Sequence, residues 1–460
     1  MSYNKGPGKK HEKFSWRWVL LGLAFGGIAV GSASLGALLA LSLSHTPLSQ
    51  RKLTPAEAAV FNQEETISFD SLNLPKLSRP VNILVLGIKV LTSDLPEKPP
   101  SLGYHALVNS FEGLSDSMLL VRFDPEEDSV TVLSIPRDTK VIIPGRGMAK
   151  INEANAIGGP AKAAETVSLL LDNVPIDRYV RINIQGVEKL IDALGGITID
   201  VPQDMKYTDH SQHLYIDLKK GKQHLDGKKA IDFLRFRHDA YGDIGRVQRQ
   251  QSFMRALIEQ TLNPKTILRM PEILKIIRAH IDTNLTTNEL IALAAFAAQR
   301  NRADIKMLLL PGDFNSPRGG ELSYWLPNYS KIREIMAFHF GQDSGYYANY
   351  RDVEPRRIRI AVQCAEENRE YAQQLVQFLQ ENGYRRSYLS SSWLPETPSK
   401  TRIIAQQGDS YAAAKLRADI GIGEVVVEST GVLNSDVTIQ VGGDWQNFSS
   451  PTNQLQSISY

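Results

Sequence analysis

The sequence predicts an α/β fold in which a central, mostly buried β-sheet carries helices on both faces. An N-terminal transmembrane helix precedes this unit, and a small C-terminal α/β domain follows it. Three observations lead to this prediction: a long uncharged apolar stretch near the amino terminus, an alternation of strand-like and helix-like segments from residue 80 to 311, and a second such alternation after residue 355. A chain of 460 residues is also too long for one ordinary domain.

The amino-terminal region predicts a single membrane span. No charged residue occurs between Trp18 and Gln50, and residues 18–43 are almost wholly apolar or small. A helix needs about 20 such residues to cross a bilayer, which is longer than the apolar core of a cleaved signal peptide. Five basic residues precede the span: Lys5, Lys9, Lys10, Lys13 and Arg17. By the positive-inside rule, residues 1–17 form a cytoplasmic tail of a plasma (inner) membrane protein, and the rest is extracytoplasmic (periplasmic).

The overall composition excludes several classes of function. The formal net charge is only +2, whereas a nucleic-acid binder needs a concentrated basic surface. The single cysteine, Cys364, can form neither an internal disulfide nor a thiolate metal cage. The predicted topology also excludes transcription factors and ATP-driven cytosolic enzymes. We therefore expect no nucleic acid among the partners.

Residues 44–79 are interpreted as a spacer with one short helix near Pro55–Gln63, and residues 80–311 as the main domain. The strands predicted in this domain are Val81–Leu86, Met118–Phe123, Val130–Ile135 and Tyr179–Ile184. The helices predicted there include Ala161–Leu171 and Gly186–Leu194.

Residues 312–354 have weak periodicity and are interpreted as a linker. Residues 355–448 form the second domain, and residues 449–460 a tail. The predicted strands of the second domain are 357–362, Thr401–Ala405, Glu424–Ser429 and Val437–Val441. Its predicted helices are Glu366–Asn382 and Ser410–Ile420.

A first candidate site follows the apolar strand that ends at Ile135. Pro136 stops strand pairing, and Arg137 and Asp138 come directly after it. In open α/β sheets, ligands bind beyond the carboxyl ends of strands, so these two side chains are candidates for a binding site. The alternative is an ordinary surface pair of an arginine and an aspartate.

A second candidate site is rich in arginine. Arg235 and Arg237 are two residues apart and point the same way if the chain is extended. Arg246 and Gln250 share a helix face with Arg249 between them. Asp243 is a candidate cap for that helix, whose positive dipole end would then lie beside the arginines.

This arrangement suits a multiply charged phosphate, because the planar guanidinium of arginine binds such oxygens in pairs. The alternative is an exposed basic helix. The interleaved aromatic residues Phe233 and Phe236 argue for a cleft with an apolar backing instead. Two further candidates are Asp116, which could hold a metal or orient a hydroxyl, and Lys150, which adds a cation before a helix.

These clusters, in this order and spacing, resemble the LytR-CpsA-Psr family of bacterial cell-envelope enzymes. The matching segments lie between Val81 and Leu262: Asn82–Gly87, Ser115–Asp116, Ser134–Thr139, Lys150–Asn152, Ala193–Gly196, Leu225–Ala230, Arg235–Arg237 and Gly242–Gln251. Residues 356–445 look like the carboxyl-terminal domain that often follows in this family.

The resemblance implies a phosphotransferase that moves a glycopolymer from a polyprenyl-pyrophosphate carrier to a hydroxyl of peptidoglycan or another envelope glycan. It implies that Arg137, Asp138 and Asp116 are catalytic and that Asp116 holds Mg2+. It further implies a set of pyrophosphate-binding residues: Arg137, Lys150, Arg235, Arg237, Arg246, Arg249 and Gln250. The lipid would need an apolar slot, which helices around Val167–Leu171 and Val187–Leu194 could supply.

Two positions depart from the family pattern. Ile88-Lys89 stands where the family usually has an acidic residue that serves the metal, and Leu114 stands where it usually has arginine. These departures weaken the expected Mg2+ site. They support one alternative, a non-catalytic scaffold for lipid-linked polymer. Two further alternatives stay open on other grounds: a transcriptional attenuator, after the family's first description, and a pyrophosphatase side activity, if the site admits water.

Overall fold

The computed structural model of the chain describes residues 51–90 and 110–447. Short stretches are excepted: residues 72–73, 211–213, 237–241, 262–268, 270–272, 274, 277–278, 301–303, 316–322, 343–353, 392–393, 395, 407, 409 and 433. The predicted membrane span at residues 18–43 lies outside this description. Among the residues that are described, no helix is both long and apolar enough to cross a membrane.

The strands and helices are numbered in chain order. Strands β1 to β11 are Ile67–Phe69, Pro75–Leu77, Val81–Ile88, Ser115–Asp124, Ser129–Ile135, Lys140–Ile143, Gly147–Lys150, Arg178–Asn183, Ile197–Val201, Met205–Asp209 and Leu214–Leu218. Strands β12 to β21 are Gly221–Leu225, Ile281–Thr283, Ile305–Leu309, Gly312–Phe314, Trp325–Pro327, Arg359–Gln363, Arg386–Leu389, Arg402–Ala405, Glu424–Val426 and Val437–Gln440. Helices α1 to α9 are Pro55–Ala58, Glu153–Leu170, Ile184–Leu194, Gly227–Arg235, Gly242–Thr261, Thr287–Ala298, Tyr329–Phe340, Arg369–Glu381 and Ser410–Ile420.

The main domain is built on a six-stranded mixed sheet with the strand order β13-β8-β3-β4-β5-β14. Strand β3 pairs in parallel with β8 and antiparallel with β4, and β5 pairs in parallel with β14. The carboxyl ends of β3, β5 and β8 therefore meet at one end of the sheet, together with the start of β4. This confirms the predicted central sheet and gives one edge at which side chains from several strands converge.

Both faces of the sheet are covered, as predicted. Alternate residues of β3 point to opposite faces, so Leu84 and Leu86 pack into one core and Ile83 into another. The first core includes Val167 of α2 and Ile335 of α7, and the second includes residues of α6. A third core lies beyond these, where α3, α4 and α5 pack on the hairpins formed by β9 with β12 and β10 with β11.

Helix α2 begins earlier than predicted, at Glu153 instead of Ala161. The backbone leaves helical geometry at Gly158 and Gly159, where φ at Gly159 is +66°, and Pro160 starts the second part of the helix. The sequence pattern did not predict the part of the helix before Gly158, because glycine and proline usually end a helix.

The predicted linker at residues 312–354 holds more structure than expected. It contains strands β15 and β16 and helix α7, whose Ile332, Ile335 and Met336 are buried in the main core. The spacer at residues 44–79 likewise contributes Phe61 to that core. Its short helix is confirmed at Pro55–Ala58, where Thr54 and Glu57 form a capping box.

The second domain is a five-stranded sheet with the order β18-β17-β21-β19-β20 and helices α8 and α9 packed against it. It also touches the edge strand β14 of the main sheet. The backbone N–H of Met307 donates to Val427 O at 2.8 Å, and that of Ser429 donates to Met307 O at 2.9 Å. Arg255 of α5 forms an ion pair with the buried Glu428. The two domains are therefore joined along a sheet edge.

Candidate active site

The loop after β5 is fixed by hydrogen bonds from three directions. Thr139 Oγ1 donates to Pro136 O at 2.5 Å, which closes a tight turn. The N–H of Ile151 donates to Thr139 O at 2.9 Å, and the N–H of Trp325 donates to Asp138 O at 2.9 Å. Because neighbouring segments hold the turn on both sides, the side chains that it carries are positioned before any ligand arrives.

Arg137 lies at the centre of a chain of ion pairs. Its Nη1 donates to Asp116 Oδ1 at 2.6 Å, and its Nε lies 3.4 Å from Asp138 Oδ2. Asp138 Oδ1 in turn accepts from Lys150 Nζ at 2.8 Å. Burial opposes the charged form of Arg137, but Asp116 and Asp138 outweigh it and raise the pKa of the guanidinium. Arg137 is therefore a fixed cation.

Arg137 lines a polar cavity at the end of the sheet where β3, β5 and β8 finish. The cavity has a volume of about 180 Å³. Its charged and polar lining comes from four elements (β4, β10, α4 and α5) and from the loops after β3 and β5: Lys89, Asp116, Ser117, Arg137, Tyr207, Asp209, Arg235 and Gln250. Three cations and two carboxylates thus face one space, which suits a ligand that carries several negative charges.

A second cavity of about 260 Å³ continues from the first. Its lining is almost wholly apolar and comes from the sheet and from helices α3 and α5, including Val85, Leu190, Phe253 and Met254. Six residues line both cavities: Gly87, Ser117, Ile182, Val187, Leu234 and Gln250. The two spaces therefore form one site with a charged end and an apolar end.

Gly87 lies where the two cavities meet. A Cβ atom at this position would come within 3.1 Å of the Ser117 Cβ on the neighbouring strand. Glycine thus lets β3 and β4 approach closely where the site passes from charged to apolar.

The predicted apolar slot is located only in part. Val187, with its neighbours Leu190 and Ile191, lines the apolar cavity as expected. Val167 and Leu171 do not, because helix α2 covers the opposite face of the sheet and buries them in the main core. The sequence shows that both helices are apolar, but not which face of the sheet each one covers.

Four of the predicted site residues line the polar cavity: Asp116, Arg137, Arg235 and Gln250. Arg235 is the last residue of helix α4, whereas the sequence predicted it in an extended segment. The predicted reason for Arg235 and Arg237 to point the same way, an extended chain, therefore does not hold for Arg235. Arg237 lies outside the described residues, as do the side chains of Arg246 and Asp243.

Three predicted site residues lie away from the cavity lining. Asp138 is 9% exposed and is bound by Arg137 and Lys150. Lys150 Nζ also lies 5.5 Å from the Tyr324 ring centroid. Arg249 is 4% exposed, and its Nη2 donates to Phe236 O at 2.6 Å. Arg249 therefore fixes the segment after Arg235, while Asp138 and Lys150 support Arg137 from behind.

Two cavity residues, Tyr207 and Asp209, were missed by the sequence analysis. They lie two and four residues after Met205 on β10, so all three side chains share one face of the strand, and that of Met205 is buried. This common face was a usable signal, but nothing in the sequence tells that the hairpin folds back over the site. Lys89, noted as a departure from the family pattern, also lines the cavity.

The expected Mg2+ site has few protein ligands. Within the described part of the chain, no group of three or more His, Cys, Asp or Glu residues could hold a metal ion. Asp116 offers one carboxylate, which Arg137 already contacts at 2.6 Å, and Lys89 lines the same cavity. Mg2+ often takes only one or two protein carboxylates when substrate phosphates supply further oxygens. The residues therefore fit a metal that arrives with a phosphate ligand, and not a resident one.

Comparisons with known proteins identify the family of this chain. The LytR_cpsA_psr family matches residues 48–338, and the LytR cell envelope-related transcriptional attenuator domain (LytR_C) matches residues 357–445. The polyisoprenyl-teichoic acid–peptidoglycan teichoic acid transferase TagU of Oceanobacillus iheyensis is 34% identical over 291 residues, which is 62% of this chain and 79% of the relative.

One further relative and one solved structure are also similar to this chain. The regulatory protein MsrR of Staphylococcus aureus (strain COL) is 35% identical over 199 residues, which cover 43% of this chain and 59% of the relative. The crystal structure of B. subtilis TagV aligns with a TM-score of 0.48 and 29% identity, over 57% of this chain and 98% of that structure.

Proposed function

This chain belongs to the LytR_cpsA_psr family, and from that premise we propose that it transfers a phosphate-linked glycopolymer from a polyprenyl-pyrophosphate carrier to a hydroxyl of peptidoglycan. The relative named TagU is a transferase of polyisoprenyl-linked teichoic acid to peptidoglycan.

The observation that carries the proposal is the continuity of the two cavities. A polyprenyl-pyrophosphate glycan has a long apolar tail, a doubly charged link and a polar polymer. The site offers an apolar space next to one lined by Lys89, Arg137 and Arg235. A ligand with only a charged part would leave the apolar cavity empty. An empty apolar cavity lowers the stability of the fold, so a ligand with an apolar part explains it better.

The proposed step moves one phosphoryl group. The acceptor hydroxyl oxygen attacks the phosphorus that carries the glycan, and a new P–O bond forms. The bond from this phosphorus to the bridging oxygen breaks, so polyprenyl phosphate leaves and a glycan phosphodiester remains on the acceptor. The hydroxyl proton passes to a carboxylate of the cavity, for which Asp209 is the candidate because Asp116 is bound by Arg137.

In the proposed reaction, the arginines position the pyrophosphate and neutralise most of its charge. Phosphoryl transfer depends on positioning and on neutralising charge more than on covalent chemistry from the protein. Arg137 and Arg235 would bind the pyrophosphate oxygens, with Gln250 as a further donor. Asp116 and Asp138 keep Arg137 oriented through contacts of 2.6 and 3.4 Å, and Lys150 holds Asp138 through a contact of 2.8 Å. Asp138 and Lys150 are thus positioning residues in this scheme, as is Arg249 through Phe236.

We propose that Mg2+ takes part with Asp116 as its protein ligand. When bound, the ion would neutralise charge on the phosphate oxygens. Because Asp116 and Asp209 are the two carboxylates among three cations in the described lining of the cavity, we infer that most of the ligands come from the substrate and from water.

The membrane placement is also a proposal. Residues 18–43 would anchor the chain in the plasma membrane with residues 1–17 in the cytoplasm and the catalytic part outside. A lipid-linked donor requires a site close to a membrane, which supports this arrangement. An extracytoplasmic enzyme has no ATP, and the pyrophosphate bond of the donor supplies the driving force.

The test uses the full chain in lipid nanodiscs with a polyprenyl-pyrophosphate oligosaccharide and Mg2+. Release of polyprenyl phosphate would be followed with and without a peptidoglycan acceptor. We expect release that depends on the acceptor, together with a new phosphodiester on the glycan. Release without acceptor would indicate a pyrophosphatase, and tight donor binding without turnover would indicate a scaffold; either result would overturn the proposal.

A further inference from the structure

The hairpin formed by β6 and β7 begins two residues after Asp138 and carries an apolar pair on its outer face. Ile142 and Met148 are directly opposite each other in the strand register. Their exposed fractions are 65% and 59%, the two largest among the big hydrophobic residues that the structure describes. Exposure of two adjacent large apolar side chains is unfavourable in water and calls for a partner.

Folding does not explain this pair. The inner face of the hairpin is held by Val141, Ile143 and Ala149, which are all buried in the main core. Gly145 and Gly147, with φ of +80° and +94°, provide the tight turn at the tip. The hairpin is therefore fixed by its inner face and its turn, and the outer pair is available for another contact.

Cations stand on both sides of the apolar pair. Lys140 and Lys150 face each other at the base of the hairpin, and their Nζ atoms lie 5.4 and 5.5 Å from the Tyr324 ring centroid. Arg146 at the tip has a side chain that is 59% exposed and that lies 3.3 Å from the carboxylate of Glu153. Apolar side chains flanked by basic ones, with an aromatic ring nearby, are typical of surfaces that rest at the headgroup level of an anionic bilayer.

The chain enters the folded domain beside helix α2, the helix that follows this hairpin. Arg51 donates its N–H to Asp282 Oδ1 at 3.2 Å, and its guanidinium packs against Gly159 of helix α2. Helix α2 begins at Glu153, three residues after the hairpin ends, and Gly159 lies at the break in its helical geometry.

This entry point restricts how far the domain can lie from a membrane. Only residues 44–50 separate Arg51 from the predicted membrane span, and they can reach at most about 25 Å. The end of the domain that carries Arg51 must then stay near the bilayer. Leu114 and Ile157, which also expose 45% and 46% of their surface, lie on the neighbouring loop and helix at this end.

We infer that the outer face of the β6–β7 hairpin docks onto the anionic lipid surface of the membrane that holds the anchor. Ile142 and Met148 enter the headgroup layer, and Lys140 and Arg146 contact lipid phosphates. This inference rests on the proposed function in that the donor is a membrane lipid. Docking places the loop of Arg137, which leads directly into β6, at the depth of the donor's pyrophosphate.

The direct test measures depth in the membrane and needs no activity. The full chain with Met148→Cys in a Cys364→Ser background would carry an environment-sensitive fluorophore in nanodiscs that contain anionic lipid. Headgroup-proximal spin-labelled lipids should quench this fluorophore at least about threefold more than the same fluorophore at Tyr411→Cys, since quenching needs contact at lipid depth. Tyr411 is half exposed on helix α9 of the second domain.

Equal quenching at the two positions would overturn the inference, whatever the activity of the protein. A second test asks about function. Ile142→Asn combined with Met148→Ser should lower the transfer rate about tenfold with donor in vesicles and leave the rate with a short-chain, water-soluble donor unchanged.

The matched control for the second test is Leu169→Ser, at an exposed position near the far end of helix α2. If the wild-type chain transfers nothing from either donor, the proposed function fails, and the quenching experiment still decides whether the hairpin docks. If the double variant keeps the full rate on vesicles while the wild type is active, docking is contradicted and the transferase proposal stands.

Discussion

Arg137 Nη1 lies 2.6 Å from Asp116 Oδ1, so the arginine that follows strand β5 is held by a carboxylate at the start of strand β4. Both side chains line the polar cavity. The contact joins two neighbouring strands of the central sheet at the point where they reach the site. It fixes a long, flexible side chain in one direction and helps to keep its guanidinium charged.

Asp116→Asn tests whether this contact matters through orientation. The amide keeps the size of the side chain and removes the charge that raises the pKa of Arg137. We expect kcat to fall about 10- to 100-fold, because a loosely held guanidinium stabilises the transition state less well. The KM for the donor should change by no more than about threefold, since Arg235 still binds the pyrophosphate. Steady-state kinetics would check this, and a kcat within about twofold of the wild type would refute it.

Filling the apolar cavity should affect the lipid part of the donor alone. Leu190→Trp places an indole in a space of about 260 Å³. We expect the KM for a long-chain donor to rise about tenfold or more, while that for a donor with a short prenyl group stays the same. Leu169→Trp, on the exposed side of helix α2, serves as control. An equal effect on both donors would show that the tail binds elsewhere.

The protein without substrate should bind Mg2+ weakly. Asp116 is contacted by Arg137, and Lys89 repels a cation from the same cavity. Titration calorimetry of the full chain is expected to show no saturable binding below about 1 mM. Lys89→Asp should create measurable binding, because it replaces a cation of the cavity with a further carboxylate. Micromolar affinity in the wild-type chain would contradict the proposed role of the substrate as the main ligand.

The contact between the two domains should weaken in mild acid. His339 Nε2 lies 2.9 Å from Gly408 O across this contact, and burial lowers the pKa of His339 to about 4. The unfolded chain, in which the pKa is near 6.5, binds the proton more readily. The stability contribution of neutral His339 is therefore complete above pH 6.5 and is lost as the pH falls towards 4.

Between pH 7 and pH 5, the wild type should lose about 2 kcal/mol more of its free energy of unfolding than His339→Gln. Denaturant titrations followed by tryptophan fluorescence would measure the difference, because carboxylates that titrate in the same range affect both proteins equally. Parallel pH profiles would contradict the assignment.

The sequence indicates the sheet and most of its elements well, because buried strands leave continuous or alternating apolar runs. Helix α7 was missed inside the predicted linker because proline, glycine and asparagine surround it, and only tertiary packing buries Ile335. The location of Arg137 at the end of a strand was predictable, since strand ends collect ligand-binding side chains.

The sequence did not predict which polar and charged residues line the cavity and which are buried behind it. Arg249 and Gln250 are neighbours on helix α5, yet one is buried against Phe236 and the other lines the cavity. Only the angle between α5 and the sheet decides this, and that angle depends on the packing of the whole third core. Asp138 likewise turns away from the cavity because Lys150, from the following hairpin, reaches it.

The most direct test of the central claim compares the wild type with Arg137→Ala in acceptor-dependent release of polyprenyl phosphate. The control is Arg356→Ala, which removes an exposed arginine of the second domain. We expect the rate to fall at least about 100-fold for Arg137→Ala and to stay unchanged for the control. A folded Arg137→Ala variant that retains the wild-type rate would show that the reaction does not take place in this cavity.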